Sequence, residues 1–102
     1  MHPAIFLDRD GVLIENRADY VRDWSQVALF QDAVFALSNT ALNHFKIVIV
    51  TNQSAVGRGI ISLETARQIN DQLVELIRIQ QGKIDDAFLC PHSPDDGCDC
   101  RK

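Results

Sequence analysis

The sequence predicts an α/β fold built on a parallel sheet, and three observations lead there. Ala4–Leu7 is a short apolar run without polar alternation, the pattern of a strand buried on both faces. Ile47-Val48-Ile49-Val50 is an unbroken β-branched run, the clearest strand in the chain. Between and after these lie stretches of helical periodicity, so the order reads strand, helix, strand, helix, strand, which right-handed crossovers turn into a Rossmann-like parallel sheet with flanking helices.

The first strand runs into Asp8-Arg9-Asp10-Gly11. In extended chain, positions i and i+2 share a side, so Asp8 and Asp10 face one small volume beyond the strand. Two anions that close repel unless a cation sits between them or one keeps its proton for acid/base work. An Asp/Gly turn after a strand is the plainer alternative.

From Gly11 to Gln31 the charges are mixed and the pattern irregular around Tyr20, Trp24 and Phe30, which predicts a long loop or hairpin beside a site. The three aromatics are expected to pack under this flap, and Arg9 to point away from the aspartates. Asp32 is the expected N-cap of a helix whose apolar positions are Val34, Leu37, Ala41, Leu42 and Phe45. After the second strand come the polar residues Thr51-Asn52-Gln53-Ser54 and a loop holding Gly57 and Gly59. Ser62 is placed to cap a second helix with Ile69, Leu73, Leu76 and Ile77 as its buried stripe, ended by Gly82. Ile84 to Leu89 offers a third strand despite Asp85 and Asp86.

In such sheets ligands lie beyond the carboxyl ends of the strands. Asp8 follows the first strand and Thr51 the second, so the two polar clusters are expected to meet. A carboxylate there can attack a phosphoryl group and form an aspartyl-phosphate, while charge on the equatorial oxygens calls for Mg²⁺, hydrogen-bond donors and a cationic side chain. Asp8 is the expected nucleophile and Mg²⁺ ligand, and Asp10 the proton donor to the leaving oxygen and a further Mg²⁺ ligand. Thr51 and Asn52 are expected to hold phosphoryl oxygens, and Lys102 is a candidate cation.

Cys90-Pro91-His92 followed by Cys98-Asp99-Cys100 supplies three thiolates and an imidazole in a C-x-H-x5-C-x-C arrangement. Four such ligands close a tetrahedral shell, so Zn²⁺ held by Cys90, His92, Cys98 and Cys100 is expected to be structural. An odd cysteine count crowded at one end suits a metal better than a disulfide framework.

The 102 residues make one domain at most. Apolar content of 46% with 24% charged residues is ordinary for a folded chain. A net charge of −4 without a basic cluster argues against nucleic acid. No apolar run approaches a membrane span and the N-terminus is unlike a signal peptide, so no membrane partner and a cytoplasmic location are expected.

Asp8-Arg9-Asp10-Gly11-Val12 resembles the first motif of the haloacid dehalogenase superfamily of phosphatases. Ile49-Val50-Thr51-Asn52-Gln53-Ser54 resembles the second motif as found in the histidinol-phosphatase and heptose-bisphosphate-phosphatase branch. The resemblance implies that Asp8 is nucleophile, Asp10 acid/base, and Lys102, after a similar zinc loop, the third-motif lysine on the phosphoryl group. It also implies that Arg58 reaches a substrate phosphate, which favours a D-glycero-D-manno-heptose 1,7-bisphosphate. The short zinc loop favours histidinol phosphate instead. The family's fourth, acidic motif has no counterpart before Lys102. Residues 1–102 are therefore expected to be the N-terminal part of a haloacid-dehalogenase-like phosphatase domain, cut short after the zinc loop. The first strand would then form an exposed edge prone to self-association. Rival readings are an inactive zinc-stabilised binding module and, against the acidic balance, a nucleic-acid 3′-phosphatase.

Overall fold

The computed structural model describes residues 3–17 and 20–91. Its centre is a three-stranded parallel sheet in the order β1 (Ala4–Leu7), β2 (Lys46–Asn52), β3 (Asp86–Cys90). Leu7 pairs with Ile49, and Thr51 with Leu89, so all three strands end on the same rim. Among the described residues no helix is long and apolar enough to cross a membrane.

Three helices follow in chain order: α1 (Gln31–Leu37), the single turn α2 (Ser54–Gly57), and α3 (Leu63–Ile79). Val34 and Leu37 of α1 join Ile69, Leu73 and Ile77 of α3 against Ile47 and Ile49, and this cluster is the core. Leu13, Ile14 and Val21 from the segment after β1 complete it. Alternation puts Phe6, Val48, Val50 and Phe88 on the opposite face, where Phe6 is 68% and Phe88 56% exposed. Among the described residues β1 is an edge strand, partly buried through Ile5 and Leu7 on the core face and exposed on the other, not buried on both faces as its composition predicts, because the described helices α1 and α3 pack on the core face.

The segment after β1 is the expected excursion. Glu15 N–H donates to Ala28 C=O at 2.8 Å and Phe30 N–H to Leu13 C=O at 2.9 Å, closing its base. Gly11, at φ +82°, makes the turn into it, and its N–H reaches Ile14 C=O at 2.8 Å. An L side chain in that region is strained by roughly 1–2 kcal/mol.

Two helix boundaries depart from the sequence pattern. The first helix stops at Leu37 instead of running to Phe45: Ser38 Oγ turns back on Phe35 C=O at 2.7 Å, and Asn39 Oδ1 accepts from Ala41 N–H at 2.9 Å to cap a separate 3₁₀ turn, Thr40–His44. Short polar side chains that bond the local backbone compete with helix continuation. Asp32 sits in the first turn of α1, where Phe30 occupies the cap without a side-chain bond. Ser62 caps α3 as expected, accepting from Thr65 N–H at 3.0 Å. The left-handed residue beyond α3 is Gln81 (φ +68°), not Gly82. Gly82 is needed for closeness, since a Cβ there would lie 2.5 Å from Ile77 Cγ2.

Asp85 lies just before β3 and ties it to β2. Its N–H donates to Ile47 C=O at 2.8 Å and its Oδ2 accepts from Ile47 N–H at 2.7 Å. That backbone bond, then the bond from Lys83 Nζ, holds the Asp85 carboxyl below its ordinary value against a smaller opposing effect of burial. A depressed carboxylate stabilises the fold above its unfolded-state pKa and loses that contribution as pH falls through the folded one. Asp85→Asn keeps an acceptor for Ile47 N–H but does not titrate. It is expected to flatten the acid limb of the unfolding curve below about pH 4, as followed by circular dichroism. An unchanged acid limb would sink this assignment.

Candidate functional site

The site lies on the rim where the strands end. β1 ends at Leu7 opposite Ile49 and β2 runs on to Asn52, so Asp8-Arg9-Asp10 and Thr51-Asn52 follow neighbouring strands at one edge of the sheet. Asp10 and Asn52 share a cleft there, and Asp8 is not among its lining residues. Asp8 is exposed at the tip of β1. Asp10 and Asn52 line one cleft of about 150 Å³ with Arg9, Asn16, Arg17, Tyr20, Val21 and Gln53. That is half the lower end of the ~300–1,000 Å³ usual for whole small-molecule ligands, so it suits one charged group better than a complete sugar bisphosphate. A larger hollow, about 320 Å³ between α3 and β3, is lined by Asp71, Glu75, Arg78, Asp85 and Asp86 and lies away from the carboxyl ends of the strands.

Thr51 differs from expectation. It lies within β2, on the face of Ile47 and Ile49, at 1% exposure, and its Oγ1 accepts from Gln53 Nε2 at 2.7 Å. Of the predicted hydroxyl–amide pair, only Asn52 lines the cleft. Arg58 follows α2, is exposed, and is not among the cleft residues; the flap supplies Arg17 instead. Tyr20, expected only to pack, lines the cleft with its backbone at φ +69°.

Arg9 is the largest correction. Instead of pointing away from the aspartates it is 2% exposed and grips Asp10, with Nε on Oδ1 at 3.0 Å and Nη2 on Oδ2 at 3.1 Å. Its Nη1 donates to Asn70 Oδ1 of α3 at 2.8 Å. A buried guanidinium is tolerated only when its donors are satisfied, and among the described residues no buried side-chain N or O atom lacks a partner. Asn70 carried no sequence signal beyond being a polar residue in the buried stripe of α3.

The rim carboxylates offer hard oxygen donors of the kind Mg²⁺ takes. Each Asp10 oxygen accepts one bond from Arg9, and a carboxylate oxygen has a second lone-pair site. Among the described residues no group of three or more His, Cys, Asp or Glu side chains is gathered to hold a metal ion, so Asp8 and Asp10 supply at most part of a Mg²⁺ shell. Cys90, expected as a zinc ligand, ends β3 at 2% exposure. His92, Cys98, Cys100 and Lys102 lie outside the described residues.

A parallel sheet with an acid pair at the tip of its first strand, capped by the excursion that follows, is the haloacid-dehalogenase-like phosphatase fold. The crystal structure of a D,D-heptose 1,7-bisphosphate phosphatase from B. bronchiseptica, complexed with magnesium and phosphate, superposes with a TM-score of 0.87 at 33% identity, over 98% of this chain and 56% of that one. The D-glycero-D-manno-heptose-1,7-bisphosphate 7-phosphatases assigned in Thermoplasma acidophilum and Thermoplasma volcanium are 38% and 35% identical over 99 residues. Both matches cover 97% of this chain, and they cover 61% and 67% of those proteins. No family model matches. The chain belongs to the histidinol-phosphatase and heptose-bisphosphate-phosphatase branch of the haloacid dehalogenase superfamily. It spans little more than half the length of most of the relatives it matches.

Proposed function

We propose that the protein belongs to a Mg²⁺-dependent phosphomonoesterase that removes the 7-phosphate of a D-glycero-D-manno-heptose 1,7-bisphosphate. The observation that carries the reading is Asp10 lining one cleft with Asn52 and Arg17 at the strand-end rim, two residues after Asp8 at the end of β1. An Asp8 carboxylate oxygen attacks phosphorus, the ester P–O bond breaks, and the Asp10 carboxyl gives its proton to the leaving oxygen. Asp10, now a carboxylate, takes a proton from the water that attacks the aspartyl-phosphate, and phosphate leaves with Asp8 restored. Asn52 offers amide donors to phosphoryl oxygens, and Thr51, buried against Gln53, shapes the turn that presents Asn52. Arg17 in the cleft lining and Arg58 on the neighbouring loop are cations available to the second phosphate. Lys102 is proposed as the phosphoryl-contacting lysine by its motif. Mg²⁺, part of whose shell Asp8 and Asp10 would supply, neutralises charge on the phosphoryl oxygens when bound.

The test is phosphate release from the heptose 1,7-bisphosphate and from histidinol phosphate, with Mg²⁺ and with chelator. Mg²⁺-dependent release from the bisphosphate is expected to dominate. Preference for histidinol phosphate would transfer the assignment to that substrate. Tight binding of a phosphate analogue with Mg²⁺ but no turnover would favour the binding-module reading.

We also propose a structural Zn²⁺ on Cys90, His92, Cys98 and Cys100, supported by the donor set and its spacing. Zinc is held by thiolates, so the reduced protein is expected to carry one zinc per chain and to lose it when the cysteines are oxidised. Metal analysis of protein prepared in reductant checks this, and zinc-free, stably folded protein would overturn it.

A further inference from the structure

Among the buried residues of α3, Ala66, Ile69, Leu73 and Ile77 are apolar and Asn70 is not. A buried amide costs about 1–3 kcal/mol when unpaired, and an apolar residue at position 70 would fit the stripe without that cost. What Asn70 does gain is one bond, its Oδ1 accepting from Arg9 Nη1 at 2.8 Å, across sixty-one positions of chain. Arg9 is in turn buried to 2% and spends its other two contacts on both oxygens of Asp10.

We propose that Asn70 and Arg9 form a strut that fixes the Asp10 carboxyl plane relative to the leaving oxygen, making both of them positioning residues for proton transfer. This deepens the phosphatase reading and rests on it. The physical argument is geometric. Asp10 is the first acid beyond the end of β1 to enter the cleft, its side chain is 31% exposed, and the flap turn begins at the next residue. On its own such a carboxyl would rotate about its side-chain bonds. A planar guanidinium that grips both oxygens fixes the carboxyl plane, since a forked pair sets orientation as well as distance. Yet an arginine fixes another group only if it is itself fixed. The Arg9 side chain is anchored at its far nitrogen by Asn70, and so by the long, core-packed helix α3. The strut thereby links the proton donor to a 17-residue helix packed on the core. Backbone bonds at the same residue add to this: Arg9 C=O accepts from Leu13 N–H at 2.8 Å and Ile14 N–H at 3.2 Å, so the start of the flap is pinned to the same point.

The test compares two leaving groups in Asn70→Leu, Asn70→Asp and Asp10→Asn. An alkyl phosphate needs the proton from Asp10 and p-nitrophenyl phosphate does not. A displaced catalytic group costs about 10²-fold for a misplacement of ~1 Å. Asn70→Leu is expected to lower kcat on the alkyl phosphate roughly 10- to 100-fold with KM nearly unchanged and with p-nitrophenyl phosphate turnover largely kept. Asn70→Asp, which retains the acceptor oxygen, restores the alkyl phosphate rate. Equal losses on both substrates, or none, in a folded Asn70→Leu protein would overturn the strut while Asp10→Asn still reports on the phosphatase reading. Should the unsubstituted protein release no phosphate, the phosphatase reading fails separately. The strut is then decided by nitrogen NMR of the Arg9 guanidinium. Distinct, slowly exchanging Nε and Nη signals that merge in Asn70→Leu support it, and signals unchanged by the substitution overturn it.

Discussion

Asp8→Asn is expected to reduce phosphate release by about 10⁴- to 10⁶-fold, the scale on which an enzyme loses its nucleophile. Asparagine has the same shape, so binding of substrate and the turn at Asp10 should persist. It lacks the anionic oxygen that forms the new bond to phosphorus. Asp8 is exposed just past the end of β1, outside the packed core, so Asp8→Asn should still fold. The two readouts therefore separate: a thermal unfolding transition remains while turnover disappears. Acid-quenched reactions with labelled substrate should show a covalent phosphoryl group on the unsubstituted protein and none on Asp8→Asn. Residual labelling of the variant at a comparable level would place the nucleophile elsewhere.

The reasons some of this was legible in sequence and some was not are local. β1 and β2 could be read because an apolar, β-branched run has few other solutions, and Ser62 because a hydroxyl three residues before an N–H is a self-contained cap. Asp8-Arg9-Asp10 drew attention for the same reason, although β1 ends at Leu7 and both acids follow it. The end of α1 was not. Ala41, Leu42 and Phe45 continue the apolar phase of Val34 and Leu37, so periodicity runs straight across a break that only the backbone bonds of Ser38 and Asn39 create. Gly82 drew attention as a helix terminator, but Gln81 takes the left-handed turn and Gly82 is needed for its missing Cβ, a demand set by Ile77. Arg9 was misread most completely. In isolation an arginine between two aspartates belongs in solvent, and nothing near it in sequence announces Asn70 as the partner that allows its burial.

That partnership bears on the second large effect. Asp10→Asn is expected to lower turnover of an alkyl phosphate by about 10²–10⁴-fold, the usual worth of general acid/base catalysis. It should also lower stability. Asparagine offers one acceptor oxygen in place of two, and turns an amide donor toward a guanidinium that is 2% exposed. A buried donor left without its acceptor costs about 1–3 kcal/mol, which thermal unfolding will register. The kinetic signature distinguishes a lost proton carrier from a merely loosened site. With p-nitrophenyl phosphate, phosphorylation of Asp8 needs no proton and should proceed. Hydrolysis of the aspartyl-phosphate still needs a base for the attacking water, so the phosphoenzyme should accumulate in Asp10→Asn and be trapped by acid quench. A loosened site would slow both steps together and trap nothing. Near-full turnover of the alkyl phosphate by a folded Asp10→Asn protein would remove Asp10 from proton transfer altogether, and leave its pairing with Arg9 as a purely structural contact.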